Sequence, residues 1–353
     1  MAYTTINKSS EHFDTKIYTG NGSSQTLDMD NLGLLWMKNR TEVASHRLFD
    51  SVRGGYYTSA PAPILSTDNT GGGNGSDVTS TYGITFGSSS STIGSDGGGY
   101  NYNQNGKSYV GWQWRANGSG SSNTDGSITS TVSANTTAGF SIVSYTGTGA
   151  NATVGHGLGV VPKCIIFKDI DTSSDWRVYH QSIGNTGTLK LNSTDATQTN
   201  SAFFNNTSPT SSVFTLGTGT DVNNTNDFIA YCFAEKTGYS KFGSYTGNGN
   251  ADGPFVYTGF KPAFVMIKMT STADNWIIQD NKRNAFNIST SNRLRANSSG
   301  AEFSSVNPID LYSNGFKAMS GSDGEFNGSG STYIYMAFGQ SLVGDNNVPC
   351  TAR

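Results

Sequence analysis

The chain has 353 residues and a mass of 37.4 kDa, a length that on its own suggests two or three domains. Charged residues are 13% of it, aromatic residues 12%, and Gly, Ser, Thr and Asn together fill 166 of the 353 positions. So few charges with so many aromatics exclude a disordered chain or a coiled coil, and a net charge of −3 leaves no basic footprint for DNA or RNA.

In chain order, residues 1–16 read as a polar N-terminal arm without the charged and then apolar segments of a secretory signal. Residues 17–116 form a first β repeat. It opens on Tyr18-Thr-Gly-Asn-Gly22 and continues through Leu34-Leu-Trp-Met-Lys38, His46-Arg-Leu-Phe-Asp50 and Tyr109-Val-Gly-Trp-Gln-Trp114. Its Gly/Ser-rich stretches, 71–75 and 87–99, read as loops or an extended hairpin. Residues 117–139 read as a polar linker or an edge strand.

A second β repeat, 140–237, carries the same signals at Tyr145-Thr-Gly-Thr-Gly149, Ile165-Ile-Phe-Lys168, Trp176-Arg-Val-Tyr-His180 and Phe228-Ile-Ala-Tyr-Cys-Phe233. A third, 238–340, repeats them at Tyr245-Thr-Gly-Asn-Gly249, Val265-Met-Ile-Lys268, Trp276-Ile-Ile-Gln-Asp280 and Tyr333-Ile-Tyr-Met-Ala-Phe338. Pro162 and Pro262 open the second segment of these two copies, where a missing N–H is harmless. Asn314-Gly315-Phe316 has the residue types of a tight turn, and a C-terminal tail, 341–353, follows.

Lys38, Lys168 and Lys268 lie 130 and 100 residues apart, and Tyr18, Tyr145 and Tyr245 lie 127 and 100 apart, so the register is shared. Copies of this length exceed solenoid units and have the size of autonomous domains. With no sustained helical spacing, the expected fold is all-β. It consists of three tandem antiparallel β-sandwich, jelly-roll-like repeats of about 100 residues with almost no helix.

Candidate chemistry is sparse. His12, His46, His156 and His180 stand near no nucleophile elbow, and His180 gives way to Asp280 in the third copy, so the scaffold does not require imidazole. No pair of carboxylates recurs as a glycosidase would need. Asp169, Asp171 and Asp175 could offer oxygens to calcium, as could Asp28 and Asp30. The first set lacks the spacing of an EF-hand and is not repeated. Trp36, Trp112, Trp114, Trp176 and Trp276 read as core, with a sugar-stacking platform as the alternative for Trp176 and Trp276. Cys164, Cys232 and Cys350 are too few and too far apart for a disulfide framework or a zinc site, and suit a reducing cytoplasm. The Gly-rich segments lack the ending of a phosphate loop. The expectation is no catalytic residue, no metal, no cofactor and no enzyme, with no apolar run of membrane-spanning length.

The run Asn123-Thr-Asp-Gly-Ser-Ile-Thr-Ser-Thr-Val-Ser-Ala-Asn135, the string Val154-Gly-His-Gly-Leu-Gly159 and the string Ile229-Ala-Tyr-Cys-Phe-Ala-Glu235 resemble repeats of virion proteins from marine tailed bacteriophages, of the cyanophage and pelagiphage type. So do Gly238 to Gly249 and Asp252 to Phe260, and the similarity covers about residues 16–340. The resemblance implies a structural virion protein, either a tail fibre or appendage that recognises the host surface or a head decoration or tail-attachment protein. It brings no catalytic residues. A carbohydrate-binding module or glycan depolymerase is the reading from another class. Expected partners are other virion proteins, copies of the same chain in a homo-oligomer (a trimer first) and host polysaccharide, with assembly in the host bacterial cytoplasm.

Overall fold

A computed structural model describes residues 4–29, 32–53, 64–73, 83–87, 90–95, 101–284, 287, 290–306, 309–321 and 323–342. Nearly everything ordered into elements is strand. Among the described residues the two α-helices are the four-residue Ser201–Phe204 and Gly324–Asn327. Both begin where a side-chain oxygen, Asn200 Oδ1 or Asp323 Oδ1, accepts an orphan backbone N–H. No helix among the described residues is long and apolar enough to cross a membrane.

One strand order recurs three times. Phe13–Thr19 pairs with Ser108–Arg115, which pairs with Gly33–Asn39, which pairs with Arg47–Asp50. Phe140–Thr146, Asp227–Phe233, Cys164–Asp169 and Arg177–His180 repeat that order, as do Ser240–Thr246, Thr332–Gly339, Pro262–Met269 and Trp276–Asp280. All these pairings are antiparallel. A smaller sheet accompanies each: Gln25–Leu27, Ser91–Ile93 and Ile84–Phe86; Ala152–Gly155 and Val213–Leu216; Phe255–Tyr257, Gly315–Ala318 and Ile309–Tyr312. Each main sheet with its small sheet is called a unit below.

Strand periodicity explains why the main sheets are buried on both faces. Side chains alternate along a strand, and along the last strand of each unit the alternation separates two cores. Tyr109, Phe228 and Tyr333 turn toward the small sheet of their own unit. Val110, Trp112 and Trp114, with Ile229, Tyr231 and Phe233 and with Ile334, Met336 and Phe338, all enter one central cluster. Rings from all three units touch there: Trp114 lies 6.1 Å from Phe233 and 5.6 Å from Phe338, and Phe13 stacks on Phe338 at 5.2 Å. Autonomous domains in series are therefore not what forms. The inner faces are too apolar to meet water, and each covers the other two.

Each unit also locks its opening turn in the same way. The hydroxyls of Tyr18, Tyr145 and Tyr245 donate to the carbonyls of Tyr102, Val222 and Phe326. The next residue is in each case a buried asparagine, Asn103, Asn223 or Asn327, whose amide accepts the N–H of Asn21, Thr148 or Asn248. This is the structural reason for the recurring Tyr-Thr-Gly pentapeptide.

Two expectations need correction: the separate arm and, of the two readings of 117–139, the linker. The 1–16 arm is not separate, because Phe13–Thr19 is a main-sheet strand and Thr4, Ile6, Ser9 and Phe13 are buried. The 117–139 linker contributes Ser121–Asn123 and Ser130–Asn135, which extend the second unit's sheet beyond Phe140–Thr146 because Val132 and Ile128 have apolar surface to bury. Asn314-Gly315-Phe316 leads from a tight turn into a strand, as its residue types suggest. The hairpin loop is Ser313-Asn314, and Gly315 is the first residue of the returning strand. Within the Gly/Ser-rich stretches, residues 74–75, 88–89 and 96–99 lie outside the described residues, as do Asp30, Cys350 and the tail from 343 onward.

Candidate functional site

Most side chains capable of chemistry are engaged in closing the ring of three units. Lys38 Nζ donates to the carbonyl of Ser299, Lys168 Nζ to that of Thr70 and Lys268 Nζ to that of Thr194, at 3.1–3.2 Å. The first unit thus grips the third, the second grips the first, and the third grips the second. A second set of bonds runs the same way round. Trp176 Nε1 donates to the Ser66 carbonyl and Trp276 Nε1 to the Lys190 carbonyl. In the first unit His46 takes the tryptophan's place. Its Nε2 meets the Arg295 carbonyl at 3.0 Å while its Nδ1 accepts Trp36 Nε1–H at 2.8 Å, a pattern that requires the neutral Nε2–H tautomer. Burial lowers His46 to about 4 and each lysine to about 8.

A third position varies in step with its partner. Asp50 Oδ2 accepts the Tyr231 hydroxyl at 2.8 Å and Arg53 Nε at 2.5 Å. Asp280 Oδ2 accepts Trp112 Nε1 at 3.0 Å and Arg283 Nε at 2.6 Å. Tyr231, Trp112 and Met336 occupy the same register position. Met336 has no N–H or O–H to give, and the residue facing that strand is His180, whose Nε2 turns to the Tyr335 carbonyl at 3.2 Å. Ile183 stands where the other units carry Arg53 and Arg283. Where the donor is lost, the carboxylate and its counter-ion are absent too. Burial lowers His180 to about 4.

The remaining candidates are bound into local structure. His156 meets the Thr210 carbonyl with Nε2 and accepts the Leu158 N–H with Nδ1. His12 contacts the Asn135 amide at 3.1 Å. Burial would raise Asp169, but donors from Thr172, Asn226 and Asn224 outweigh it and hold the carboxyl below its usual range. The same turn in the first unit is capped by Asn39, which accepts the N–H groups of Thr41 and Glu42, so the position needs an acceptor and not a charge. Asp175 pairs with Lys190 and Arg177, and Asp28 with Lys16 at the surface. Among the described residues no three His, Cys, Asp or Glu gather as a metal site. Cys164 and Cys232 are buried free thiols, pushed up by burial. All five tryptophans are buried.

Two further places depart from the threefold recurrence. The first is a cleft of about 290 Å³ between the first and third units, lined by Ser9, Phe13, Asp14, Thr15, Asn281 and Lys282 among others. It exists because Thr15 stands, by strand register, where Ile142 and Phe242 fill the other seams. Ser9 Oγ, Thr15 Oγ1 and Asn281 Oδ1 are buried there with no protein partner. Thr15→Ile removes one such hydroxyl and fills part of the space. The expected result is a gain of about 1 kcal/mol in urea unfolding, and a loss of stability would show that the hydroxyl is engaged.

The second is the solvent face of the third unit's small sheet. The corresponding faces of the other units carry threonines: Thr26, Thr92 and Thr85 aligned in the first, Thr153 and Thr215 in the second. The third unit carries Phe255, Tyr257 and Tyr312, which are 46%, 61% and 38% exposed. Tyr257 and Tyr312 are both paired with Gly315 on the strand between them, while Phe255 and Asp310 are both paired with Lys317. A Cβ on Gly315 would lie 2.2 Å from the Val256 carbonyl oxygen and 2.8 Å from the Phe255 ring, so no side chain fits there and the Phe255 ring lies over the buried glycine. Phe255 stands edge-on to Tyr312 with centroids 5.9 Å apart. Lys317 bonds Asp252, which raises the lysine and lowers the carboxyl. Phe255-Val256-Tyr257 is a continuous apolar run in the sequence, which does not mark the face that stays wet.

A family profile described as a domain of unknown function, DUF7483, matches residues 8–341, nearly the whole chain. The chain belongs to the DUF7483 family. Because the match spans all three units, the family description applies to the closed ring and not to one unit of it. No curated protein matches the chain, and no solved structure does.

Proposed function

We propose that this chain is a structural protein of a bacteriophage particle, a tail fibre or tail-associated appendage that meets the host surface, and not an enzyme. We read its units as three tandem copies of one β-sandwich module of about 100 residues, closed on one another. The observation that carries the proposal is the use of the buried reactive groups. Lys38, Lys168, Lys268, His46, His180, Asp50 and Asp280 each bond a neighbouring unit, an arrangement that gives rigidity and leaves none of them facing a substrate. The resemblance of residues 16–340 to marine phage virion proteins supplies the setting. Buried free thiols fit assembly in the host bacterial cytoplasm before release.

Homo-oligomerisation, with a trimer favoured, belongs to this reading through avidity. It is not needed to cover the core, which one chain covers by itself. The deciding experiment is immunogold labelling of purified particles with an antibody to this chain, together with mass spectrometry of the same particles. Label on the tail is the expected result. Label on the head would replace the appendage with a decoration protein, and absence from the particles would reject both.

A further inference from the structure

We propose that the outer face of the third unit's small sheet is a saccharide-binding platform. Tyr257, Phe255 and Tyr312 stack on pyranose rings, and Lys317 with Asp310 bonds their hydroxyls. The proposal deepens the host-surface reading by naming the ligand class and the residues.

Three observations carry it. First, the aromatics are unique to one unit. The same face elsewhere carries Thr26, Thr92 and Thr85 or Thr153, Thr215, Gly155 and Val213, so the fold does not require rings there, and their exposure gains the chain nothing from its own core. Second, the size of the patch selects the occupant. Three aromatic side chains, each roughly half exposed, present on the order of 300 Å², well short of the roughly 800 Å² that each partner contributes to a stable protein interface. A short stretch of sugar chain needs no more than this.

Third, the shape is suited to rings in a row. Tyr257 and Tyr312 lie two strands apart, about 9.5 Å, roughly the length of two linked pyranoses. Between them the Phe255 ring lies over Gly315 and reaches Tyr312, so the apolar strip runs across all three strands. An aromatic face accepts the apolar C–H face of a sugar. Beside it an ammonium and carboxylates offer donors and acceptors to hydroxyls, with opposite charges close enough to favour a neutral ligand over an ionic one.

The test is affinity electrophoresis of the purified full chain in native gels containing laminarin, galactomannan, hydroxyethylcellulose or dextran. Retardation in at least one gel is expected, with Tyr257→Ala and Tyr312→Ala each weakening it at least tenfold. Tyr257→Phe, which keeps the ring, should retain it to within about threefold. The alanine variants are surface changes and should melt with the parent chain. No retardation in any gel overturns the proposal, and so does retardation that survives both alanine substitutions. Loss of the chain from particles in the alanine variants, with gel binding absent, would assign the strip to a protein contact and also overturn it. The gels use no particles, so their failure leaves the virion reading standing, and a failure of particle labelling leaves the platform standing.

Discussion

Replacing Asp280 by alanine is expected to destabilise the folded chain by about 3–5 kcal/mol. The carboxylate accepts Trp112 Nε1 and Arg283 Nε through one oxygen and the N–H groups of Lys282 and Arg283 through the other. Arg283 and Asp280 are both fully buried. Removing the acid leaves a guanidinium with only Glu302 and the Ile278 carbonyl for company, and an indole N–H without an acceptor. Burial works against the arginine's charge, yet Asp280 and Glu302 outweigh it and hold the group protonated. The charge will therefore stay, with the Glu302 carboxylate alone left to balance it.

Urea unfolding of the single variant measures the loss. The double variant Asp280→Ala/Arg283→Met should recover at least 1 kcal/mol of it, since the stranded charge is then gone. Lys317→Ala, at the surface, should change stability by no more than about 0.5 kcal/mol. A loss below 1 kcal/mol in Asp280→Ala would mean that the seam between the first and third units does not depend on this cluster.

Stability is expected to rise with pH in two separate windows and to fall above both. His46 and His180 are lowered to about 4 by burial, against 6.5 for an unburied histidine. Between those values the unfolded chain binds more protons than the folded one, so the stabilisation is complete above pH 6.5 and is lost as pH falls toward 4. The effect is on the order of 3 kcal/mol for each ring. Lys38, Lys168 and Lys268 are lowered to about 8 from 10.5. From pH 8 upward the folded chain sheds protons that the unfolded chain keeps, and stability climbs again as the buried ammonium groups become neutral.

Tyr145, Tyr231 and Tyr245 set the upper limit. Burial raises all three, so above about pH 10 the unfolded chain loses phenolic protons that the folded chain retains, and stability falls. Melting temperatures at constant ionic strength from pH 4 to 11 should therefore peak between about pH 9 and 10. Lys168→Met should remove roughly a third of the rise above pH 8. A flat profile from pH 8 to 10 would show that the three ammonium groups are better solvated than their burial implies.

Much of the architecture was legible in residue types. The spacing of Lys38, Lys168 and Lys268 marked three related segments, and the aromatic runs Tyr109 to Trp114, Phe228 to Phe233 and Tyr333 to Phe338 marked the strand that closes each. Trp176 and Trp276 at matching positions marked core. The aromatic strip was not legible, because Phe255-Val256-Tyr257 is a continuous apolar run with no polar residue to mark the face that meets water. The strands at 121–123 and 130–135 were not settled, because a polar segment pairs with a sheet only if an open edge is present to receive it.

By itself the sequence determined the all-β class, since this follows from short-range stereochemistry and the two-residue period of a strand. Only the tertiary structure decided that the units close on one another, which seam keeps a cleft and which sheet face holds its aromatics in water. The closing bonds end on the backbone carbonyls of Ser66, Lys190 and Arg295, and of Thr70, Thr194 and Ser299. Every residue carries such an acceptor, so its use leaves no trace in the order of amino acids.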